Sequence, residues 1–229
     1  MKKLRNNIYD SLYYENQQED SYNSAKIVLP KVLDVLPKVD SAVDFGCGIG
    51  TWLLVLKELG VSEIKGYDGP WVDKNMLKIP PECFSEMEFN KDVSIENKKY
   101  DLAISMEVAE HLPQSSADFF IKLLTTASDF VLFSAAIPFQ EGPNHVNLQW
   151  PNYWNEFFNK NGFVAVDFLR SQIWNEENVM CWYKQNAIMF VKKERLNEIK
   201  TSCYKNTIPL SLVHPELYLM VVQDLCKKS

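Results

Sequence analysis

Val43-Asp44-Phe45-Gly46-Cys47-Gly48-Ile49-Gly50-Thr51-Trp52 is the stretch that decides the fold. Before it, Ser41 to Phe45 has the apolar, partly β-branched character of a short buried strand. After it, Thr51 opens an apolar periodicity carried by Leu53, Leu54, Leu56 and Leu59. Three glycines therefore stand where a strand turns into a helix. Gly46 can take a tight bend, Gly48 lets the backbone approach a bound molecule, Gly50 permits close helix-to-strand packing, and the helix start offers free N–H groups. An open parallel sheet binds its ligand at such a turn. A purely structural glycine turn is the plain alternative, since glycine motifs are permissive.

Spacing selects among ligands. A dinucleotide fingerprint requires Gly-x-Gly-x-x-Gly, but Thr51 stands where its third glycine belongs, and the chain instead reads Asp44-x-Gly46-x-Gly48-x-Gly50. In this it resembles the class I S-adenosylmethionine (SAM) dependent methyltransferases, whose first motif is an acid followed by Gly-x-Gly-x-Gly. The resemblance implies an α/β fold with a Rossmann-like, doubly wound, seven-stranded, mostly parallel sheet, its last strand antiparallel and helices on both faces. It also implies SAM as cofactor and S-adenosylhomocysteine as product. A carboxylate such as Asp44 near the SAM ammonium is favourable, whereas a pyrophosphate would be repelled there. Gly46, Cys47, Gly48 and Gly50 complete the expected cofactor turn, with Cys47 read as a small filler and not as a nucleophile.

Downstream, Glu63 to Tyr67 reads as a second strand ending at Asp68, eighteen positions beyond Gly50. That offset suits an acid on the ribose hydroxyls; the plain alternative is a turn aspartate before Gly69-Pro70. Trp71 is placed to cover the nucleoside. Met87 to Asn90 reads as a third strand followed by Asp92-Val93, where the resemblance implies an acid facing the adenine amino group. Tyr100 to Ser105 is the next strand, and Met106-Glu107-Val108-Ala109-Glu110-His111-Leu112 follows it. This resembles the family's fourth motif, an Asp-led apolar strand followed by Glu-Val-x-Glu-His. Met106 and Glu107 leave the strand beside the glycine turn, where the ligand must lie. Glu110 and His111 fall one step further, positioned to cap or brace the following helix.

Ala117 to Thr126 suggests a helix and Phe130 to Phe133 a buried fifth strand. Beyond them the polar, Pro-rich run from Ala136 to Trp154 carries a lone histidine among amides, which core packing explains poorly. Its pattern Gly-x-x-His-Val-Asn-x-Gln-Trp-Pro-x-Tyr-Trp resembles bacterial methyltransferases of surface-polysaccharide and small-molecule biosynthesis. There His145 is the first candidate for a general base and His111 the second. Asn147 and Gln149 are candidates for orienting a hydroxyl-bearing substrate, with Trp150 and Tyr153 beside them. The plain alternative for His145 is a loop hydrogen-bonder. Tyr153 to Asn161 then reads as a helix stopped by Gly162, Phe163 to Phe168 as a strand, and Asn186 to Val191 as the last strand.

With 229 residues, 46% hydrophobic and 24% charged, the chain is expected to form one domain over 1–229. Its core runs over about 24–192, between a Tyr-rich, lid-like segment 1–23 and an extension 193–229. A helix-like stripe from Ser24 is interrupted by Pro30, which would bend the helix or mark its first turn. The extension's stripe of Leu217, Tyr218, Val221, Val222 and Leu225 fits either packing on the core or a homo-oligomer contact. Lys and Arg total 24 against 30 Asp and Glu, a formal charge of -6, so no nucleic-acid partner is expected. No run reaches the length of a membrane span, and five scattered cysteines fit a reducing, cytoplasmic setting. No metal is called for, because no His/carboxylate cluster with ligand spacing stands in the sequence. The expected function is transfer of a methyl group to a small-molecule or glycan-linked hydroxyl, such as a modified sugar or a phosphoramidate group, in surface-polysaccharide synthesis. The alternatives are N-methylation of a small amine, an NAD-linked oxidoreductase, or a non-catalytic SAM-binding subunit.

Overall fold

The computed structural model describes residues 2–89, 98–200 and 208–228, with the side chains of 2–18, 224 and 228 left aside. Its strands are β1 (Ser41–Phe45), β2 (Glu63–Asp68), β3 (Phe84–Glu86), β4 (Leu102–Met106), β5 (Phe130–Ser134), β6 (Phe163–Val166) and β7 (Ile188–Lys192). Its α-helices are α1 (Lys2–Val35), α2 (Thr51–Glu58), α3 (Ala117–Ala127), α4 (Pro151–Lys160), α5 (Leu169–Ile173), α6 (Cys181–Asn186) and α7 (Pro215–Lys228). The sheet order is β3-β2-β1-β4-β5-β7-β6, parallel except that β7 runs antiparallel to both β5 and β6.

The chain winds outward from β1 through β2 to β3, then returns to lay β4 on the other side of β1. The crevice between the carboxyl ends of β1 and β4 is therefore the topological switch point, the place where such a sheet takes its ligand. Alternation along the strands supplies both layers of core. Val43 and Phe45 of β1 pack with Phe120, Phe158 and Trp154 on the α3–α4 face. Ala42, Leu102 and Ile104 pack with Leu29, Val32, Leu53 and Leu56 on the α1–α2 face. Covered on both faces, β4 and β5 are buried at every position, which is why they read as near-continuous apolar runs.

Some details differ from expectation. Pro30 does not interrupt the first helix: α1 runs through it. A mid-helix proline costs about 3 kcal/mol, but Val28, Leu29 and Val32 on the same turns are fully buried, and each such burial returns about 1.5–3 kcal/mol. The lid-like segment continues the same helix, and where side chains are described it is tied down, Trp52 Nε1 donating to Ser21 Oγ at 3.2 Å and the Tyr22 hydroxyl to Glu58 at 3.0 Å. The third strand is Phe84–Glu86, earlier than Met87 to Asn90, because Phe84, Ser85 and Glu86 are the residues in register with Gly66, Tyr67 and Asp68. The expected adenine residues Asp92 and Val93 lie outside the described residues. Two short helices, α5 and α6, fill the interval between β6 and β7, an antiparallel pair that needs no crossover helix. Among the described residues no helix is long and apolar enough to cross a membrane.

Candidate active site

The glycine turn is held by backbone bonds. The N–H groups of Gly46 and Cys47 both donate to the Tyr67 carbonyl, at 2.7 and 3.1 Å, which ties the end of β1 to the end of β2. Gly46 has φ 87°, and a Cβ there would lie 2.3 Å from Cγ2 of Val108, so the turn and the segment leaving β4 touch at this residue. Around Gly48 the space is open: a Cβ would meet nothing within 4 Å. Its N–H donates to Asp68 Oδ2 at 2.7 Å, while the Gly69 N–H donates to Asp68 Oδ1 at 2.6 Å. A carboxylate accepts about four hydrogen bonds, so Asp68 organises both turns and keeps capacity for a ligand.

Beside this turn lies a hollow of about 660 Å³, a size suited to a small ligand. Gly46, Asp68, Trp71 and Glu107 line it, together with Glu88, Phe89, Val108, His111 and Asn144. Three of its lining residues are carboxylic acids and none is Lys or Arg. Burial pushes the Asp68 carboxyl above its ordinary range, against the pull of the Gly48 and Gly69 amides. Asp44, buried at the end of β1, is raised well above it by burial and then by Asp68. Trp71 is 73% exposed, its ring lying across Gly69, where a Cβ would stand 2.2 Å from it.

Glu107 occupies a left-handed backbone position, φ 56°, which a non-glycine residue adopts at some cost and which recurs at functional sites. Gln140 Nε2 donates to its Oε2 at 2.6 Å and Asn186 Nδ2 to its Oε1 at 3.2 Å, with Gln185 bracing Asn186 at 2.9 Å. Burial of the carboxyl raises its pKa to about 7; the amide donors hold it from rising further.

The loop 137–150 returns over this exit. The N–H groups of Val146 and Asn147 both donate to the Glu110 carbonyl, at 2.9 and 3.0 Å. That pins His145 against the segment after β4: the His111 and His145 rings meet edge-to-face with centroids 4.8 Å apart. His145 Nδ1 lies 2.8 Å from the Gln140 carbonyl, which can only accept, so Nδ1 carries the hydrogen and Nε2 is left with its lone pair. His111 is pushed below its usual pKa by burial and then by His145, partly offset by the Asn144 carbonyl. Glu110 does not brace a helix through its carboxyl. The residue is 0% exposed, and neither carboxyl oxygen has a hydrogen-bond partner of ordinary geometry among the described residues. Burial, and then Glu107, pushes its pKa well above the carboxylate range; the amides of Glu110 and Ala136 offset this only in part. Ligand-type atoms of Glu110, His111 and His145 all lie within 4.8 Å of one another, so the sequence-based reading that the chain has no His/carboxylate cluster is corrected here.

The remaining expected residues divide. Cys47 buries its thiol against Gly66 and Leu53, with burial pushing its pKa up, so it is a core filler inside the turn. Gly50 caps α2. Met106 packs in the core on the α1–α2 face. Asn147 is buried and accepts from Gln149 Nε2 at 3.0 Å, so these amides bond each other within the loop. Trp150 is exposed, and Tyr153 packs edge-to-face on Trp154 and Phe157. The amides that hold Glu107 carried different signals: Gln140 belongs to the polar loop already singled out, whereas Asn186, 79 positions from Glu107, carried none.

A methyltransferase-domain profile matches residues 17–167. No curated protein sequence matches the chain. Among solved structures it is similar to a SAM-dependent methyltransferase from Archaeoglobus fulgidus, at 20% identity over 66% of this chain and 74% of that one, with a TM-score of 0.53. It is also similar to an O-methyltransferase family protein from Burkholderia thailandensis (12% identity, 72% and 55% covered, TM-score 0.51). A third is human N-acetylserotonin methyltransferase in complex with SAM (18% identity, 74% and 51% covered, TM-score 0.50). The chain thus spans about half the length of the last two. At these identities the likeness is one of fold. The profile match covers well over half of the sequence and takes in the glycine turn, the acidic exit of β4 and the loop carrying His145, so the chain belongs to the methyltransferase-domain family.

Proposed function

We propose that the chain is a SAM-dependent methyltransferase acting on a hydroxyl of a small or glycan-linked acceptor, in the cytoplasm, as a step of surface-polysaccharide synthesis. The observation that carries the cofactor reading is the hollow beside the glycine turn, lined by Asp68, Glu88 and Glu107 without a Lys or Arg. Such a lining favours a ligand with a sulfonium and an ammonium and disfavours the pyrophosphate of NAD. SAM supplies, when bound, a methyl group already activated toward a nucleophile. The residues of this chain then have three tasks. Asp68 accepts the ribose hydroxyls, Trp71 covers the nucleoside, and the Gly48 backbone leaves room for close approach. The loop 137–150, pinned on the Glu110 carbonyl, closes over the exit of β4 and keeps water from the acceptor. His145, its Nδ1 hydrogen committed to the Gln140 carbonyl and its ring packed on His111, which lines the hollow, is assigned the activation of the acceptor hydroxyl through Nε2.

The test is a screen of nucleotide-sugars and polysaccharide intermediates for formation of S-adenosylhomocysteine, run with the parent and with His145→Ala. Turnover on a hydroxyl acceptor that drops about 100-fold or more in His145→Ala, with SAM affinity kept, supports the reading. Equal turnover in both moves the acceptor class to amines.

A further inference from the structure

The cluster of Glu110, His111 and His145 is more than a histidine pair beside a hollow. We propose that these residues form a site for a divalent cation of the Mn²⁺ to Zn²⁺ series, which holds the acceptor's oxygen for methyl transfer.

Three independent features lead there. The first is distance: one ligand-type atom from each residue lies within 4.8 Å of the other two. A cation bonding nitrogen and oxygen at about 2.0–2.2 Å sets neighbouring ligand atoms about 3–3.6 Å apart, so closure by about an ångström completes the site. The second is the Glu110 carboxyl, fully buried with both oxygens lacking a hydrogen-bond partner of ordinary geometry among the described residues. A buried carboxyl held by no hydrogen bond of ordinary geometry is costly to ionise, and such groups are retained where they pair with a charge or coordinate a metal. The third is the orientation of His145. A ligating imidazole typically gives its other ring N–H to a carbonyl or carboxylate, which fixes the tautomer, and His145 Nδ1 meets the Gln140 carbonyl at 2.8 Å. The loop bonds from Val146 and Asn147 to the Glu110 carbonyl bring the distant histidine to the other two residues as one unit.

The donor set chooses the metal. Two imidazoles and a carboxylate suit first-row transition cations, whereas Ca²⁺ and Mg²⁺ prefer oxygen alone. Three protein ligands leave coordination positions open, as in catalytic sites. The chemical role, which rests on the methyl-transfer reading, follows from that open position. The acceptor's hydroxyl binds the cation and releases its proton to solvent. Its oxygen then forms the bond to the methyl carbon while the carbon–sulfur bond breaks, the pair going to sulfur to leave neutral S-adenosylhomocysteine. The cation takes over the activation assigned above to the imidazole, and the Nε2 lone pair of His145 holds the cation.

The test is titration of chelator-stripped protein with MnCl₂ and with ZnCl₂, followed by calorimetry and, for Mn²⁺, by loss of the free-ion paramagnetic resonance signal. One site per chain is expected, weakened at least about tenfold in His145→Ala and in Glu110→Gln, with circular dichroism and SAM affinity unchanged. His145 sits in a partly exposed loop, so if Glu110→Gln fails to fold, His145→Ala still decides. Absence of a stoichiometric site in the parent, or equal binding in the parent and His145→Ala, overturns the proposal. If the cation binds but SAM does not, the methyltransferase reading fails and the site stands. If SAM binds and an acceptor is turned over equally with and without chelator, the site falls and the methyltransferase reading stands.

Discussion

The two halves of the hollow are built by different means. The cofactor half is backbone: β1, the glycine turn and the end of β2 are tied by amide bonds to the Tyr67 carbonyl and to the Asp68 carboxylate, all within a span of about 25 residues. The side we propose for the acceptor is side chains gathered from afar: Glu107 and His111 line the hollow, and Glu110, Gln140, His145 and Asn186 pack against them from behind. The halves approach closely at Gly46, where an added Cβ would lie 2.3 Å from Val108 Cγ2. A backbone site is generic and recurs wherever its ligand does; a side-chain site is where a particular acceptor is chosen.

The sharpest way to break that division is at the contact. Gly46→Ala puts a Cβ 2.3 Å from Val108 Cγ2 at φ 87°. Left-handed strain of about 1–2 kcal/mol and overpacking of about 1–3 kcal/mol predict a loss of about 2–5 kcal/mol in chemical unfolding, with SAM binding and the acceptor half failing together. Unchanged stability would mean that the halves are not coupled there.

A pH series probes what the two halves share, buried acid. Asp44, Asp68, Glu107 and Glu110 all have carboxyls held above their ordinary range, chiefly by burial. Each binds its proton more tightly folded than unfolded. Its stabilising contribution is therefore complete below the ordinary carboxylate pKa and lost as pH rises through the folded value, for Glu107 from 4.5 to about 7. His111, lowered chiefly by burial, acts oppositely and adds stability as pH rises toward 6.5, above which its contribution is complete, one group against four. The unfolding midpoint of chelator-treated, cofactor-free protein should fall from about pH 5 to about pH 7, each titrating group contributing up to about 1.4 kcal/mol per pH unit. Glu107→Gln should flatten that fall, and a midpoint that rises over the same interval would contradict the reading that burial outweighs the hydrogen bonds to these carboxyls.

Smaller effects separate the residues of the cofactor half. Asp68→Ala removes the ribose acceptor and the bonds to Gly48 and Gly69, and calorimetry should show SAM affinity about tenfold weaker or more, since hydrogen bonds to a charged group are worth about 1.5–3 kcal/mol. Trp71→Ala, at an exposed ring, should cost about 0.5–1.5 kcal/mol of SAM affinity without moving stability. An Asp68→Ala protein that binds SAM as the parent does would place the ribose elsewhere in the hollow.

The same division decides what could be read from the sequence. The strand–glycine–helix unit was legible, because the spacing of Asp44, Gly46, Gly48 and Gly50 encodes it locally; the seven-stranded sheet with its antiparallel last strand was implied by the resemblance to the methyltransferases that this spacing carries. His145 stood out as a histidine in a polar loop. Its partner Glu110 did not: Glu110 and His111 adjoin in sequence, but nothing local says that a loop 35 positions on folds back onto the Glu110 carbonyl. Pro30 misled for the opposite reason, since local propensity forecast a break that tertiary burial of Val28, Leu29 and Val32 overrides. Asn186 is a polar residue on an otherwise unremarked helix and acquires its meaning only by touching Glu107.

The most direct measurement is calorimetric titration of the purified protein with SAM and, separately, with NAD. The acid-lined hollow leads us to expect a single SAM site per chain, weakened in Asp68→Ala, and no measurable NAD binding. NAD binding at one site with none for SAM would contradict the account at its root.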